Sequence, residues 1–164
     1  MRAIVLVAGR GSRLPKNLSK KPKSLIKIGA KTILERQIEN FQALGIDKIS
    51  FVTGYKSVFF KRYKLKKFHN HNWKKTNMVY SLTKANSWLK KYHCIVSYGD
   101  ILYEKNAIKS LIKSKNLITI TYDKNWKKLW FKRFKNPLID AETFKINKKN
   151  ELLKIGKKTD SYKN

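Results

Sequence analysis

The sequence predicts an α/β fold in three layers, α/β/α, around a mostly parallel central sheet. Two observations carry this. Strand-like, helix-like and strand-like segments succeed one another over residues 2 to 53, an order that implies a right-handed crossover between parallel strands. Two apolar runs, residues 2 to 7 and 93 to 98, then stop abruptly in small residues, Ala8-Gly9 and Gly99-Asp100. Open parallel sheets bind their ligands at such strand ends. No internal repeat and no linker interrupts the chain, so residues 1–164 read as a single domain.

Each element has its own signal. Residues 2 to 7 are β-branched and apolar, as in a strand buried on both faces. Ser24-Leu25-Ile26-Lys27-Ile28 reads as a short strand closed by Gly29. Thr32 and Glu35 have the spacing of a capping box. Ile33, Leu34, Ile38, Phe41 and Leu44 follow mostly on one helical face, and Gly45 is placed to end that helix. Residues 48 to 53 form the next strand, and 55 to 63 a short helix burying Phe59 and Phe60. The basic stretch 64 to 76 holds at most one short strand. Asn77 caps a helix over 78 to 91 whose inner face is Val79, Leu82, Ala85 or Asn86, and Leu89. Residues 104 to 114 read as a helix and 117 to 122 as a strand. Two further strands are expected near 139–146 and 151–155.

Composition sets the frame. A chain of 164 residues with 41% apolar content can build a real core. It holds no apolar run of about 18 residues, so no transmembrane span is expected. No signal peptide is expected either, because the first strand leads into a turn rather than a cleavage site. One cysteine, Cys94, excludes an internal disulfide and fits a reducing cytoplasm. It lies in a strand and reads as core. His69 and His71 with Cys94 do not complete a zinc set of the usual spacing. Lysine and arginine number 39 against 10 acidic residues, a net charge of +29, which attracts polyanions. The excess is nearly all lysine, spread along the chain beside abundant Asn, Ile, Tyr and Phe. Codon composition is therefore a competing cause, and nucleic acid is kept as a less favoured partner.

The chemistry gathers at the strand ends. Ala8, Gly9 and Gly11 let the backbone turn sharply and approach a ligand closely. Backbone N–H groups in such a turn, with Arg13 and Lys23 beside them, make a cradle for phosphates. No Gly-Lys-Ser/Thr follows as in a P-loop, and Leu14 stands where a dinucleotide fingerprint needs its third glycine. Asp100, just past a parallel strand, is placed to hold a magnesium ion, which needs only one or two protein carboxylates when phosphates and water complete its shell. Its other reading is a turn aspartate after a glycine.

Taken together, Ala8-Gly9-Arg10-Gly11-Ser12-Arg13-Leu14, a seven-residue loop, Pro22-Lys23 and Tyr98-Gly99-Asp100 resemble the signature of the nucleotidyltransferases that activate sugar phosphates and phosphocholine. Within the loop the acidic residue often found in that family is absent, and Pro15-Lys16 reverses the common order. Asn72, then Asn77-Met78-Val79-Tyr80-Ser81-Leu82, and the run from Asp123 through Trp126, Trp130, Arg133-Phe134 and Asn136-Pro137-Leu138 to Asp140-Ala141-Glu142 resemble the phosphocholine cytidylyltransferase branch.

The resemblance implies a Rossmann-like nucleotidyltransferase fold. It also implies transfer of a nucleoside monophosphate, CMP from CTP, to a small phosphate acceptor such as phosphocholine or an aminoalkyl phosphonate, with release of pyrophosphate. Lys23 would then contact the α-phosphate and the acceptor phosphate. Arg13 would hold the pyrophosphate with the Gly9, Gly11 and Ser12 backbone, and Asp100 would hold Mg²⁺. Ala8 and Gly9, with Asn72 or Asn77, would read the base, while Asn77 is equally a plain helix cap. Trp126, Trp130, Asp140 and Glu142 are the candidates for a cationic acceptor, against packing and surface ion pairs as the other reading. Family members continue further, with a later segment completing the acceptor pocket and a second metal ligand, so the resemblance implies a fragment, a shortened and inactive version, or a chain that assembles with another, as in a homo-oligomer. The alternatives are a sugar-1-phosphate acceptor, or a non-catalytic basic remnant binding nucleotide or nucleic acid.

Overall fold

β1 (Arg2–Val7) sits in the middle of the sheet, and Ala3, Ile4 and Val5 are fully buried. The structure is a computed structural model that describes residues 1–11 and 20–159. Among these, the chain forms two compact units, Met1–Ile120 and Thr121–Asn164.

In the first unit, β1 pairs in parallel with β4 (Ile49–Thr53) on one side and β6 (Cys94–Tyr98) on the other. β5 (Lys66–His69) extends the sheet beyond β4, giving the order β5-β4-β1-β6. The strand period of two sends alternate residues to opposite faces. Ala3, Val5 and Val7 pack with Leu34, Phe41, Phe51 and Ile108, the face covered by α1 (Ile33–Gln42) and α4 (Lys105–Lys113). Ile4 packs with Val52 and Ala85 on the other face, under Leu82, Trp88 and Leu89 of α2 (Met78–Thr83) and α3 (Asn86–Leu89). The expected three layers are therefore present. Phe41, Phe51 and Phe60 are fully buried, each contributing roughly 1.5–3 kcal/mol relative to exposure.

Local chemistry explains how α1 starts and stops. Thr32 accepts from the Glu35 N–H at 3.1 Å, and the Glu35 carboxylate accepts from the Thr32 N–H at 2.8 Å. These bonds hold the Glu35 carboxyl below its ordinary pKa. At the far end Gly45 N–H reaches Gln42 O and Ile46 N–H reaches Phe41 O, the pair of bonds that closes a helix on a glycine.

Four expectations change in the first unit. The stretch 24 to 28 is a 3₁₀ turn, Lys23–Leu25, followed by β2 (Lys27–Ile28), which pairs with β3 (Lys31–Thr32) as a two-residue ribbon. The helix at 55 to 63 is only the 3₁₀ turn Ser57–Phe60, which nevertheless buries Phe60. The helix expected over 78 to 91 is broken in two. The Thr83 hydroxyl donates to Tyr80 O at 2.7 Å, and the Lys84 and Ala85 N–H groups bond three residues back rather than four. Such back-bonding bends helices, and it brings the small Ala85 hard against the sheet while Val79 stays exposed. Residues 117 to 122 form no strand, and Leu117 and Ile118 are exposed. An apolar run that finds no pairing partner does not become a strand by propensity alone.

The second unit contains α5 (Trp126–Arg133), a 3₁₀ turn (Pro137–Asp140), and an antiparallel pair, β7 (Thr143–Ile146) with β8 (Leu152–Lys157). The strand expected from 139 thus begins at Thr143, after Pro137 has opened a turn. Among the described residues, no helix is long and apolar enough to cross a membrane.

Candidate active site

Val7 is in register with Thr53, and Leu6 with Tyr98. Ala8-Gly9, Gly54 and Gly99-Asp100 therefore leave the sheet along one edge. The chain runs outward from β1 to β4 and β5, then returns to β6 on the other side of β1. That reversal is the topological switch point, where such sheets open a crevice. A cavity of about 310 Å³ lies there, lined by Ala8, Gly9, Gly11, Lys23, Asn77 and Asp100 together with Pro22, Trp73, Met78 and Tyr98. A broader groove of about 780 Å³ runs between α1 and the start of α4, past Arg36, Glu39 and Lys109. It is larger but holds none of the expected site residues.

Lys23 and Asp100 face each other across the cavity. Lys23 Nζ is 3.4 Å from Asp100 Oδ2, and both side chains remain partly accessible. Lys23 opens the 3₁₀ turn whose next two residues, Ser24 and Leu25, are buried. Burial of those two fixes the turn and leaves the lysine to the cavity. Gly11 lies against the lysine stem: a Cβ there would sit 2.7 Å from Lys23 Cε and 2.8 Å from Cγ. Its φ of 68° is also one that favours glycine. The motif glycine thus makes room for the motif lysine.

Asp100 is placed by Gly99 and Gln37. Gly99 N–H donates to Leu6 O at 2.9 Å. A Cβ on Gly99 would come within 2.5 Å of Val7 Cγ1 and 3.0 Å of Leu6 O, so only glycine fits between β6 and the turn. Gln37, 1% exposed, donates from Nε2 to Tyr98 O at 2.9 Å and to Ile101 O at 2.7 Å.

The opposite wall is the turn after β5. Asn70 is fully buried. Its Nδ2 donates to Thr76 Oγ1 and to Ser81 Oγ, both at 2.9 Å, and its Oδ1 accepts from the Asn72 N–H at 3.0 Å. This network holds Trp73 and Asn77 at the cavity. Asn77 caps α2, its Oδ1 accepting from the Tyr80 N–H at 3.0 Å. Tyr55 N–H donates to Ala8 O, and the Tyr55 ring lies 5.2 Å from that of Trp73. Burial and the neighbouring His71 ring hold His69 below its ordinary pKa, with its Nδ1 3.0 Å from Thr53 Oγ1. Hydrogen bonds from Lys84 and Asn72 lower the exposed Tyr80 phenol. Burial raises the Cys94 thiol, which packs against the core as expected.

Ala8, Gly9, Gly11, Lys23, Asn77 and Asp100 thus meet in one cavity. Asn72 is exposed and does not line it. Ser12 and Arg13 lie outside the described residues. Trp126, Trp130, Asp140 and Glu142 belong to the second unit, where Trp130 Nε1 donates to Asp140 O at 3.2 Å and the Arg133 guanidinium lies 5.7 Å from the Trp130 ring. Sequence reasoning missed Gln37 and Asn70. Gln37 carried a signal, since Ile33, Gln37 and Phe41 share one buried stripe at spacing four and a lone amide on an apolar face needs partners. Asn70 carried none, lying within the polar run His69-Asn70-His71-Asn72. Trp73 carried no specific signal either, lying in the basic stretch 64 to 76.

No group of three or more His, Cys, Asp or Glu that could hold a metal occurs among the described residues. A single carboxylate at the mouth of the cavity does not make a closed metal site. It does fit a magnesium ion that arrives with nucleotide phosphates.

Comparison with known proteins agrees with this fold. Residues 3–142 match the model of the MobA-like NTP transferase domain. The CTP:phosphoglutamine cytidylyltransferase of Campylobacter jejuni is 38% identical over 99% of this chain and 68% of its own length. The choline-phosphate cytidylyltransferase of Haemophilus influenzae is 32% identical over 65% of this chain and 46% of its own. The chain thus spans between about half and two thirds of these relatives. Among solved structures, the CTP:phosphocholine cytidylyltransferase of Streptococcus pneumoniae superposes with a TM-score of 0.54 at 30% identity, over 60% of this chain and 44% of that one. The inositol-1-phosphate CTP transferase of T. maritima, at 19% identity, superposes with a TM-score of 0.71 over 98% of this chain and 65% of its own. That likeness carries the fold.

Proposed function

The chain belongs to the family of MobA-like NTP transferase domains, and on that footing we propose that it transfers CMP from CTP to a small phosphorylated acceptor, releasing pyrophosphate. The observation that carries the proposal is the Lys23–Asp100 pair, 3.4 Å apart in a cavity at the switch point of a parallel sheet. A polyanion-binding surface has no use for a carboxylate in that position. A metal-assisted phosphoryl site needs both charges.

An acceptor phosphate oxygen attacks the α-phosphorus, the bond to the bridging oxygen breaks, and pyrophosphate leaves. No covalent enzyme intermediate is required, so the residues work by positioning and charge neutralisation. Lys23 holds the α-phosphate and acceptor phosphate together. The backbone of Gly9, Gly11 and Ser12, with Arg13, cradles the leaving pyrophosphate. Asp100 is the residue that would hold Mg²⁺, which supplies charge neutralisation on the phosphates when bound. The cytosine lies between the Ala8–Gly9 backbone and the wall that carries Trp73 and Asn77. The acceptor is a compound of the phosphocholine or phosphoglutamine kind, with Trp126, Trp130, Asp140 and Glu142 as its binding residues. The reaction takes place in the cytoplasm, where the single thiol stays reduced.

Calorimetric titration of CTP, UTP, dTTP, ATP and GTP, with and without Mg²⁺, tests this reading. Magnesium-dependent binding that prefers CTP is expected. A folded protein that binds none of them would overturn it. Lys23→Ala and Asp100→Asn are each expected to lower turnover by more than about tenfold without unfolding the domain. Full activity in a folded Asp100→Asn protein would remove the metal role.

A further inference from the structure

We propose that Gln37 is a positioning residue for Asp100: its buried amide clamps the carbonyls on either side of Gly99-Asp100 and so sets where the carboxylate faces the cavity. The inference rests on the reading of Asp100 as the residue that holds magnesium.

Both donor positions of the Gln37 amide are used, and its carbonyl oxygen has a longer contact. Both protons of Nε2 go to the segment, one to Tyr98 O at 2.9 Å and one to Ile101 O at 2.7 Å. Ser97 Oγ lies 3.4 Å from Oε1. The two carbonyls belong to the residue before Gly99 and the residue after Asp100, so the amide spans the dipeptide that carries the carboxylate. One helical turn further on, Asn40 Nδ2 donates to Tyr103 O at 3.0 Å and fastens the same segment on its way to α4. The strand ladder of β6 ends at Tyr98, and Asp100 is neither in a strand nor in a helix. Among the described residues, the polypeptide around Asp100 is therefore held by side chains of α1, by the Ser97 hydroxyl on Tyr98 O at 3.1 Å, and by one backbone bond, Gly99 N–H to Leu6 O. A segment with so few backbone partners takes its position from whatever satisfies its carbonyls.

Gln37 is also placed where an amide is otherwise out of character. It occupies a stripe with Ile33 and Phe41 on the buried face of α1. Leucine or methionine would complete that face without any need for partners. The cost of a buried amide is offset because both of its donors are used. Residues that orient a metal ligand from behind act through it, and their loss commonly weakens metal affinity by about 10–100-fold.

The test compares the parent with Gln37→Met, Gln37→Glu and Asp100→Asn. CTP binding is measured across a range of Mg²⁺ concentrations, and amide hydrogen exchange is followed at Asp100 and Ile101 in the metal-free protein. For Gln37→Met, the Mg²⁺ half-saturation is expected to rise by about tenfold and exchange at Asp100 and Ile101 to quicken. CTP binding without metal should stay within about twofold of the parent, a change near the resolution of such comparisons. Added to Asp100→Asn, the methionine variant should cause no further shift in Mg²⁺ dependence. A folded Gln37→Met protein with parent-like exchange and Mg²⁺ dependence overturns the inference. If Asp100→Asn itself leaves the Mg²⁺ dependence unchanged, the metal reading fails, and the exchange measurement still decides whether Gln37 orders the segment. Should the methionine variant fail to fold, Gln37→Glu decides. Its ionised carboxylate opposes two carbonyls, whereas its protonated form regains one donor. The gap to the parent in Mg²⁺ half-saturation should narrow from about pH 8 to about pH 6, as a buried carboxyl titrates above its usual range. A gap that does not change with pH overturns the inference.

Discussion

Two walls face each other across the cavity, and each hangs on one buried side-chain amide, but the two amides work over different distances. Gln37 reaches from α1 to carbonyls more than sixty residues away in the chain. Among the described residues, the Asn70 side chain binds its own surroundings, Asn72, Thr76 and Ser81. The wall with Asp100 therefore depends on the packing of the helix layer against the sheet. The wall with Trp73 and Asn77 is largely self-fastened, and its main tie to the sheet is the Asn70 N–H donated to Thr53 O at 2.8 Å. The lesson concerns where damage should spread. A change at the Asp100 wall should reach the core, and a change at the Asn70 wall should stay in the turn.

The sharpest way to break the comparison is Gly99→Ala. The added methyl would meet Val7 Cγ1 and Leu6 O, one a core side chain and the other strand backbone, and neither yields cheaply. Overpacking of this kind costs about 3 kcal/mol. The expected outcome is a large fall in denaturant midpoint with loss of turnover. A stable, active Gly99→Ala protein would mean that β1 and β6 are not locked together at the Asp100 wall.

Asn70→Ala comes next. It removes two donors and one acceptor from a fully buried site, leaving the Asn72 N–H without its partner, for a cost of about 2 kcal/mol. The hydroxyls of Thr76 and Ser81 keep their bonds to Asn72 O and Asn77 O, so the loss should stay local. CTP KM is expected to rise while the Mg²⁺ half-saturation holds. If both change together, the two walls are not independent.

Thr32→Ala is smaller and samples the support of the Asp100 wall from further off. It deletes half of the capping box that starts α1, which costs about 1 kcal/mol. The Glu35 carboxyl is held low mainly by the backbone bond to Thr32, so its contribution is present above its ordinary pKa and fades as pH falls through the lowered one. Thr32→Ala keeps that backbone N–H, so the acid test uses Glu35→Ala, whose thermal melts should draw together with the parent's as pH falls. A gap that stays constant into acid would mean the carboxylate bond contributes nothing.

How much of this was legible in the sequence divides along the same line. The strand ends, the two motif glycines and the Lys23 and Asp100 side chains could be read because their spacing is local and their chemistry is specific. The capping box at Thr32 was also legible, being complete within four residues. The break between α2 and α3 was not, because it turns on a hydroxyl of Thr83 choosing a carbonyl of its own helix. The strand expected at 117 to 122 failed for the opposite reason. Its composition is strand-like, but pairing is decided by a partner, and propensity does not supply one. Gln37 was visible as an oddity on an apolar face, yet the two carbonyls that explain it lie in another part of the chain.

The smallest effect separates the walls by pH. His69, at the end of β5 and next to Asn70, is held below its ordinary pKa by burial and by His71. The unfolded chain therefore takes up this proton at a higher pH than the folded one. Stability from this group is full above the ordinary value of about 6.5 and is lost as pH falls below it toward the lowered folded value. Gln37, the tether of the other wall, has no proton to gain. Mild acid should loosen the Asn70 wall first, seen as faster amide exchange at Trp73 and Asn77 while Ile101 is unchanged. In His69→Asn the same descent in pH should leave Trp73 and Asn77 as protected as at neutrality. If their exchange quickens equally in that variant, the pH sensitivity comes from elsewhere in the turn, and the two walls differ in reach alone.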